Sequence, residues 1–343
     1  MRIAVYATDH GYGHLSRQLA WIENNTWNKN DRVYIINDKA SSIIDHREDL
    51  PIINIRRSTD KGPVFDDKTL HVDLLRTKRV IDSWHSELDD LVRIEKEWMK
   101  KEKIDLVISD ISPVPIESAY QLGIRSLAVS SFSWHWIYSD LFPDHPILEE
   151  IKTMYRTSSQ TFVLPLTERM EIFPNRKEIS LISRTSSEKL KLDSSKKKVF
   201  ISMGYSVFPD LKNIGSENVQ YVVPYHVKIK NDDIRIPKDC KNITPYLEAS
   251  DYAVLKTGYS SIAEAITYKK PIIAIKRKMI EDEYTARTIE KLGIGISYYL
   301  DEVDSDTIDN FDFNKLRNNY KGLPERFSNT GCKYVHDFVE DTR

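Results

Sequence analysis

Glycine is scarce in this chain. It accounts for 11 of 343 residues, less than half of a usual share of about 7%. A chain this poor in glycine is not loop-rich, and the place of each glycine it keeps is informative. Cysteine is nearly absent too: Cys240 and Cys332 alone exclude a disulfide framework and a cysteine-rich zinc site, and a reducing, cytoplasmic setting is expected. No run approaches the ~18 apolar residues of a membrane span. The opening residues carry neither the charged lead nor the apolar core of a signal peptide. Neither sign of charge dominates, with 50 Lys and Arg against 52 Asp and Glu, a formal net charge of −2. That balance argues against a dedicated nucleic-acid binder. With 40% hydrophobic and 10% aromatic residues the chain is too apolar to be disordered, and its length suits about two domains.

What is there is a repeated alternation. Arg2–Ala7 is an apolar strand, followed by a glycine-containing turn and then by Leu15, Leu19 and Ile22 on one helical face. Val33–Ile36 and Ile52–Ile55 read as strands and Leu70–Lys101 as a long polar helix. Ile104–Ser109 and Ser126–Ser130 read as strands around a helix over Pro115–Gln121. A second series runs through Val199–Met203, Val219–Val223, Tyr252–Leu255, Pro271–Ile275 and Ile294–Tyr298, with helices at Ser260–Tyr268 and Asp282–Leu292. Near-continuous apolar strands alternating with helices indicate α/β halves with parallel sheets covered on both faces. The expected division is an N-terminal domain over 1–176, a Ser/Lys-rich linker over 177–198, a C-terminal domain over 199–313, and a helical tail over 314–343 packing back on the first domain.

Open parallel sheets bind ligands outside the carboxyl ends of their strands. Gly11, Gly13, Gly204 and Gly258 all follow strands at such ends, where N–H groups at a helix start favour an anion. Together they suggest a ligand held in a cleft between the two halves. In Lys256-Thr-Gly-Tyr-Ser-Ser-Ile-Ala-Glu-Ala265 the hydroxyls of Ser260 and Ser261 fall in a first helical turn, and Glu264 shares their face. Such a segment is able to hold a diphosphate and, through the acceptor-only carboxylate, a ribose diol; the alternative is a serine-capped helix with one surface Glu. His14 follows Gly13 in a first turn, where the helix terminus disfavours the imidazolium, so it is a candidate base. His10 and His14 have the spacing of a metal pair but no accompanying carboxylate or cysteine motif, and no metal site is expected. Asp304-Ser-Asp306 fits a helix N-cap better than a metal motif. Trp134 and Trp136 fit core or wall packing better than sugar stacking.

These residues also carry a likeness to a known family. Asp9-His-Gly-Tyr-Gly-His-Leu-Ser-Arg17 resembles the N-terminal Gly-His loop of GT-B-fold glycosyltransferases, including the peptidoglycan N-acetylglucosaminyltransferase family. The match is closer to the glycosyltransferase-like family related to the N-terminal part of plant L-arabinokinases. Ile108-Ser-Asp-Ile-Ser-Pro-Val-Pro115, Ser131-Phe-Ser-Trp-His-Trp-Ile-Tyr138 and Lys256–Glu264 with Lys270-Pro271 are similar to further motifs of that family, in the same order. The resemblance covers about residues 1–300. It implies a GT-B fold, two Rossmann-like parallel-sheet domains facing each other across a cleft. It implies an acceptor-side loop of His10, Gly11, Gly13, His14 and Arg17, with His14 as base or substrate contact. It implies donor contacts from Gly204, Tyr205, Gly258, Tyr259, Ser260, Ser261, Glu264, Arg277, Glu281 and Asp282. This chain departs from the pattern at His135, where the family tends to be acidic, and after Met203, where it has a single glycine.

The implied reaction is metal-independent and cofactor-free glycosyl transfer from a nucleotide sugar, UDP-sugar foremost, to a hydroxyl acceptor that is lipid-linked or a glycan. Two other readings stay open. One is a nucleotide-sugar 2-epimerase, which needs further acid/base carboxylates, and Asp110 is the candidate. The other is a non-catalytic nucleotide-sugar-binding protein. The basic stretches Arg76–Arg79 and Lys100-Lys101 fit a solvated face better than a peripheral membrane contact, which a lipid-linked acceptor would call for.

Overall fold

A computed structural model of the chain describes every residue except 40–43, 45–48, 67–70, 167–169, 193–194, 205–216, 228 and 230–233. The chain divides into two compact units. The first comprises Met1–Phe65, Val72–Ile182 and Asn329–Arg343, and the second Asp66–His71 and Ser183–Ser328.

The first unit contains, in chain order, β1 (Arg2–Ala7), α1 (Tyr12–Glu23), β2 (Arg32–Ile36), β3 (Ile52–Ile55), α2 (Leu74–Glu102), β4 (Leu106–Asp110), α3 (Val114–Leu122), β5 (Arg125–Ser130), α4 (Trp134–Leu141), α5 (Ile147–Tyr155), β6 (Gln160–Val163) and β7 (Arg176–Glu178). Its sheet has the order β3-β2-β1-β4-β5-β6-β7, with neighbours parallel. Ile3, Ala4, Val5, Leu106, Val107 and Ile108 are fully buried, as strands covered on both faces require. Along α2 the buried residues Thr77, Ile81, Trp84, Leu88, Val92, Glu95 and Met99 recur every three or four positions, so one stripe faces inward. The Asp73 carboxylate caps this helix by accepting from Arg76 N at 2.9 Å.

The second unit contains β8 (Lys197–Ser202), β9 (Val219–Pro224), β10 (Ile234–Ile236), α6 (Thr244–Ala249), β11 (Tyr252–Lys256), α7 (Tyr259–Thr267), β12 (Ile272–Lys276), α8 (Ile280–Lys291) and β13 (Gly295–Tyr299). Its sheet order is β10-β9-β8-β11-β12-β13, again parallel. Both sheets therefore reverse their winding once, between β1 and β4 in the first and between β8 and β11 in the second. At such a switch point the loops leave in opposite directions and open a crevice at the carboxyl edge.

The elements read from the sequence are present, and others were not anticipated: β6, β7, β10 and helices α4 and α5. Part of the stretch read as a linker, 177–198, is built into the first sheet through β7, and the units divide between Ile182 and Ser183. Of the tail, residues up to Ser328 pack with the second unit, while Asn329–Arg343 packs with the first. There the helix Gly331–Glu340 buries Val335, Phe338 and Val339, and Arg343 pairs with Asp31 at 2.7 Å. Asp304 caps Ser305–Asp309, its carboxylate accepting from Thr307 N at 2.9 Å. Among the described residues no helix is long and apolar enough to cross a membrane.

Candidate functional site

In the first unit the switch point brings together two residues that lie far apart in sequence. Ala7, the last residue of β1, is in register with Asp110, the last of β4. The chain leaving β1 turns at Gly11, whose φ of 100° and ψ of 166° lie in a region reserved for glycine. It then enters α1, which sets His14 and Arg17 one turn apart over Asp110. His14 Nδ1 stands 3.0 Å from Asp110 Oδ1. Arg17 donates through Nε to Oδ2 at 2.7 Å and through a terminal nitrogen to Oδ1 at 2.5 Å. Its other terminal nitrogen donates to Ser131 Oγ at 3.1 Å. Gln18 adds a bond to Asp110 Oδ2 at 2.8 Å and is itself held by Trp21 Nε1. Asp110 is fully buried and Arg17 almost so, while His14 keeps 8% exposure at the edge of the cluster. Burial alone would raise the Asp110 pKa, but the charges and hydrogen bonds of Arg17 and His14 overcome it and hold it at about 2. Asp110 is therefore a full carboxylate at neutral pH.

The two neighbours make opposite demands on His14 Nδ1. Toward Asp110 the nitrogen must donate, and toward Arg17, whose terminal nitrogen stands at 2.8 Å, it must accept. A proton on Nδ1 puts the ring's basic lone pair on Nε2, and a proton on Nε2 puts it on Nδ1. Phe132 packs edge-on to the ring at 5.6 Å between centroids.

A second buried carboxyl lies nearby, one that the sequence reading missed. Asp60 accepts from Thr8 Oγ1 and Trp134 Nε1, each at 2.9 Å. Burial pushes its pKa up to about 7, with Asp9 and Asp110 adding to the rise against those two hydrogen bonds. Thr8 Oγ1 in turn accepts from His10 N, and the His10 ring stands edge-on to Trp134 at 5.5 Å. Gly62 is pressed against both rings, and a Cβ there would collide with each. Asp60 lies in a stretch without helical or strand periodicity, so no sequence signal marked it. Trp134 is a buried part of this packing, with 1% exposure.

In the second unit Gly204 follows β8 with φ +75°, while Tyr205 lies outside the described residues. Gly258 opens α7, with Tyr259 buried and Ser260 and Ser261 half-buried in its first turn. Glu264 lies on the next turn, 4% exposed, and accepts from Arg184 Nε at 3.0 Å. Arg184 is a partner the sequence reading did not name, 80 residues away along the chain. Arg277, just past β12, binds Asp282 three times: its backbone N and Nε donate to Oδ2 at 2.9 and 2.7 Å, and a terminal nitrogen donates to Oδ1 at 3.0 Å. Burial opposes ionisation of Asp282, yet Arg277 holds its pKa below the usual carboxylate value. Glu281 is half-buried in the same helical turn. The β1/β4 site and the β11/α7 site each lie at the carboxyl edge of their own sheet.

No family model matches the chain. It is 26% identical over 306 residues to the L-arabinokinase of Arabidopsis thaliana, a match that takes in 82% of this chain and 28% of that protein. The chain thus spans little more than a quarter of the length of that curated relative. Among solved structures, the glycosyltransferase of kitacinnamycin superimposes with a TM-score of 0.68 at 15% identity, covering 99% of this chain and 98% of that one. The calicheamicin glycosyltransferase CalG4 gives 0.68 at 13% identity, over 100% and 98%. UGT2 of Phytolacca americana, complexed with UDP-2-fluoroglucose and pterostilbene, gives 0.64 at 11% identity, over 99% of each chain. The fold is therefore that of the GT-B glycosyltransferases.

Proposed function

We propose that this protein is a glycosyltransferase that moves a sugar from a nucleoside-diphosphate sugar to a hydroxyl acceptor. The observation that carries the reading is the His14–Asp110–Arg17 cluster at the switch point of the first sheet, in a chain with the GT-B fold. In this reading the ionised Asp110 accepts from Nδ1–H, a charge-assisted bond. Nε2 then takes the proton of the acceptor hydroxyl while that oxygen attacks the anomeric carbon. The bond from that carbon to the diphosphate breaks, and the leaving oxygen keeps the electron pair. A single displacement of this kind inverts the anomeric centre. Arg17 is a positioning residue, fixing the Asp110 carboxylate by a bidentate bond.

The donor is assigned to the carboxyl edge of the second sheet. The first-turn N–H groups of α7 and the hydroxyls of Ser260 and Ser261 meet the diphosphate, with Gly204, Gly258 and Tyr259 beside it. Glu264, steadied by Arg184, holds the ribose. Arg277, held by Asp282, supplies fixed positive charge, and Glu281 lies toward the sugar. UDP is the first candidate nucleotide, in keeping with the UDP-sugar complex of the Phytolacca protein. The acceptor class is a glycan or a lipid-linked hydroxyl compound.

Thermal unfolding with UDP, GDP, dTDP and their sugars tests the donor site, because a ligand that binds the folded state raises the melting temperature. At least one is expected to stabilise the wild type, and Glu264→Ala is expected to lose most of that shift. An unchanged shift in Glu264→Ala would overturn the placement of the ribose. Asp60 gives the epimerase reading one specific support, a second carboxyl able to change protonation near neutral pH. Interconversion of the donor sugar without release of nucleoside diphosphate would favour that reading over transfer.

A further inference from the structure

Lys256 ends β11, two residues before the glycine that opens α7. It is half-buried, and among the described residues its ammonium makes no hydrogen bond and no ion pair. Burial and the charge of Arg277 pull its pKa down to about 8. Asp282, the carboxylate that would answer it, is engaged on both oxygens by Arg277. Glu281, also on α8, attracts it from further away. A half-buried charge that finds no hydrogen bond among the described residues gives up hydration without compensation, so an apolar replacement there need not cost stability. Lys256 Cε lies 3.7 Å from where a Cβ on Gly258 would stand, so the cation is folded over the start of α7. A half-buried cation, a buried one and a helix N-terminus thus share one place, with one buried carboxylate among them.

From this juxtaposition we infer that Lys256 is an anion-binding residue of the donor site. Its ammonium takes a phosphoryl oxygen of the nucleoside diphosphate beside the first-turn N–H groups of α7, while Asp282 only positions Arg277. The assignment rests on the donor reading above. It gives binding a distinctive pH dependence. A bound diphosphate favours the charged ammonium, so above about pH 8 binding must take up a proton, and affinity falls by up to about tenfold per pH unit.

Calorimetric titration of the wild type, Lys256→Met and Lys256→Arg with UDP, GDP and dTDP tests this between about pH 7.5 and about pH 9, above the final ionisation of the terminal phosphate near pH 6. The wild type is expected to bind with an affinity that declines above about pH 8. Lys256→Met is expected to match or exceed the wild type in unliganded thermal stability, yet to lose at least about tenfold in affinity along with the pH slope. Lys256→Arg is expected to keep binding and lose the slope, because a guanidinium stays charged throughout. Wild-type affinity and slope in Lys256→Met would overturn the inference. So would a flat wild-type profile, which needs no variant. A wild type that binds none of the three nucleotides would instead overturn the donor reading on which the inference depends.

Discussion

Asp110 accepts hydrogen bonds from Arg17 and Gln18 and stands within hydrogen-bonding distance of His14, so its removal strands a buried guanidinium. Asp110→Asn is expected to cost about 3–5 kcal/mol, the cost of breaking a buried ion pair on one side. Chemical denaturation of the variant beside His14→Ala, which leaves the ion pair intact and should cost less, measures this. Two carboxyls also give stability opposite dependences on pH. The Asp110 pKa is depressed to about 2 in the folded protein, so the stability it lends is present above about pH 4 and lost as pH falls toward about 2. The Asp60 pKa is raised to about 7, so its contribution is full below about pH 4 and lost as pH rises through about 7. Unfolding at about pH 5 and about pH 8 should show a smaller loss at the higher pH in Asp60→Asn than in the wild type. An identical loss in both would contradict the placement of Asp60.

At the level of elements, the turn from β1 into α1 decides where His14 stands. Gly11→Ala forces a side chain into a conformation costing about 1–3 kcal/mol. It should lower stability by that order and, in this account, depress activity through His14 without touching substrate. Stability and turnover measured on one preparation check both effects. Most of the elements were legible from the sequence because their signals are local: the apolar run of β1, the strands β4, β8, β11 and β12, and the serine-rich start of α7. What was not legible has a physical reason in each case. β7 reads Arg-Lys-Glu and is exposed along its length, so no burial pattern marks it, and only pairing with β6 makes it a strand. Asp60 and Arg184 act through partners 74 and 80 residues distant, and spacing along a chain carries no trace of such pairs. Lys256 lay inside a motif quoted for its glycine and serines. That its ammonium has no hydrogen bond or ion pair among the described residues becomes visible only when Asp282 is seen bound to Arg277.

For the whole molecule, the end of the chain belongs to the first unit. The helix Gly331–Glu340 is anchored by His336 on Trp21 O at 2.9 Å, by Arg125 stacked 4.1 Å over the Phe338 ring, and by the buried Val335 and Val339. Gly331 fits because a Cβ there would strike the Ser180 and Leu181 carbonyls. Truncation after Ser328 uncovers that surface and should lower the melting temperature of the first unit, read by calorimetry; an unchanged melting profile would mean that the helix adds nothing to it. The central claim is that His14, oriented by Asp110, removes the acceptor proton during transfer from a nucleotide sugar. The measurement that tests it most directly follows nucleoside diphosphate released and glycoside formed, in equal amounts, from UDP-, GDP- and dTDP-sugars with glycan and lipid-linked acceptors. Stoichiometric release and transfer by the wild type are expected, reduced by about 10²–10⁴-fold in His14→Ala, with donor binding retained. Transfer at the wild-type rate in His14→Ala would contradict that claim.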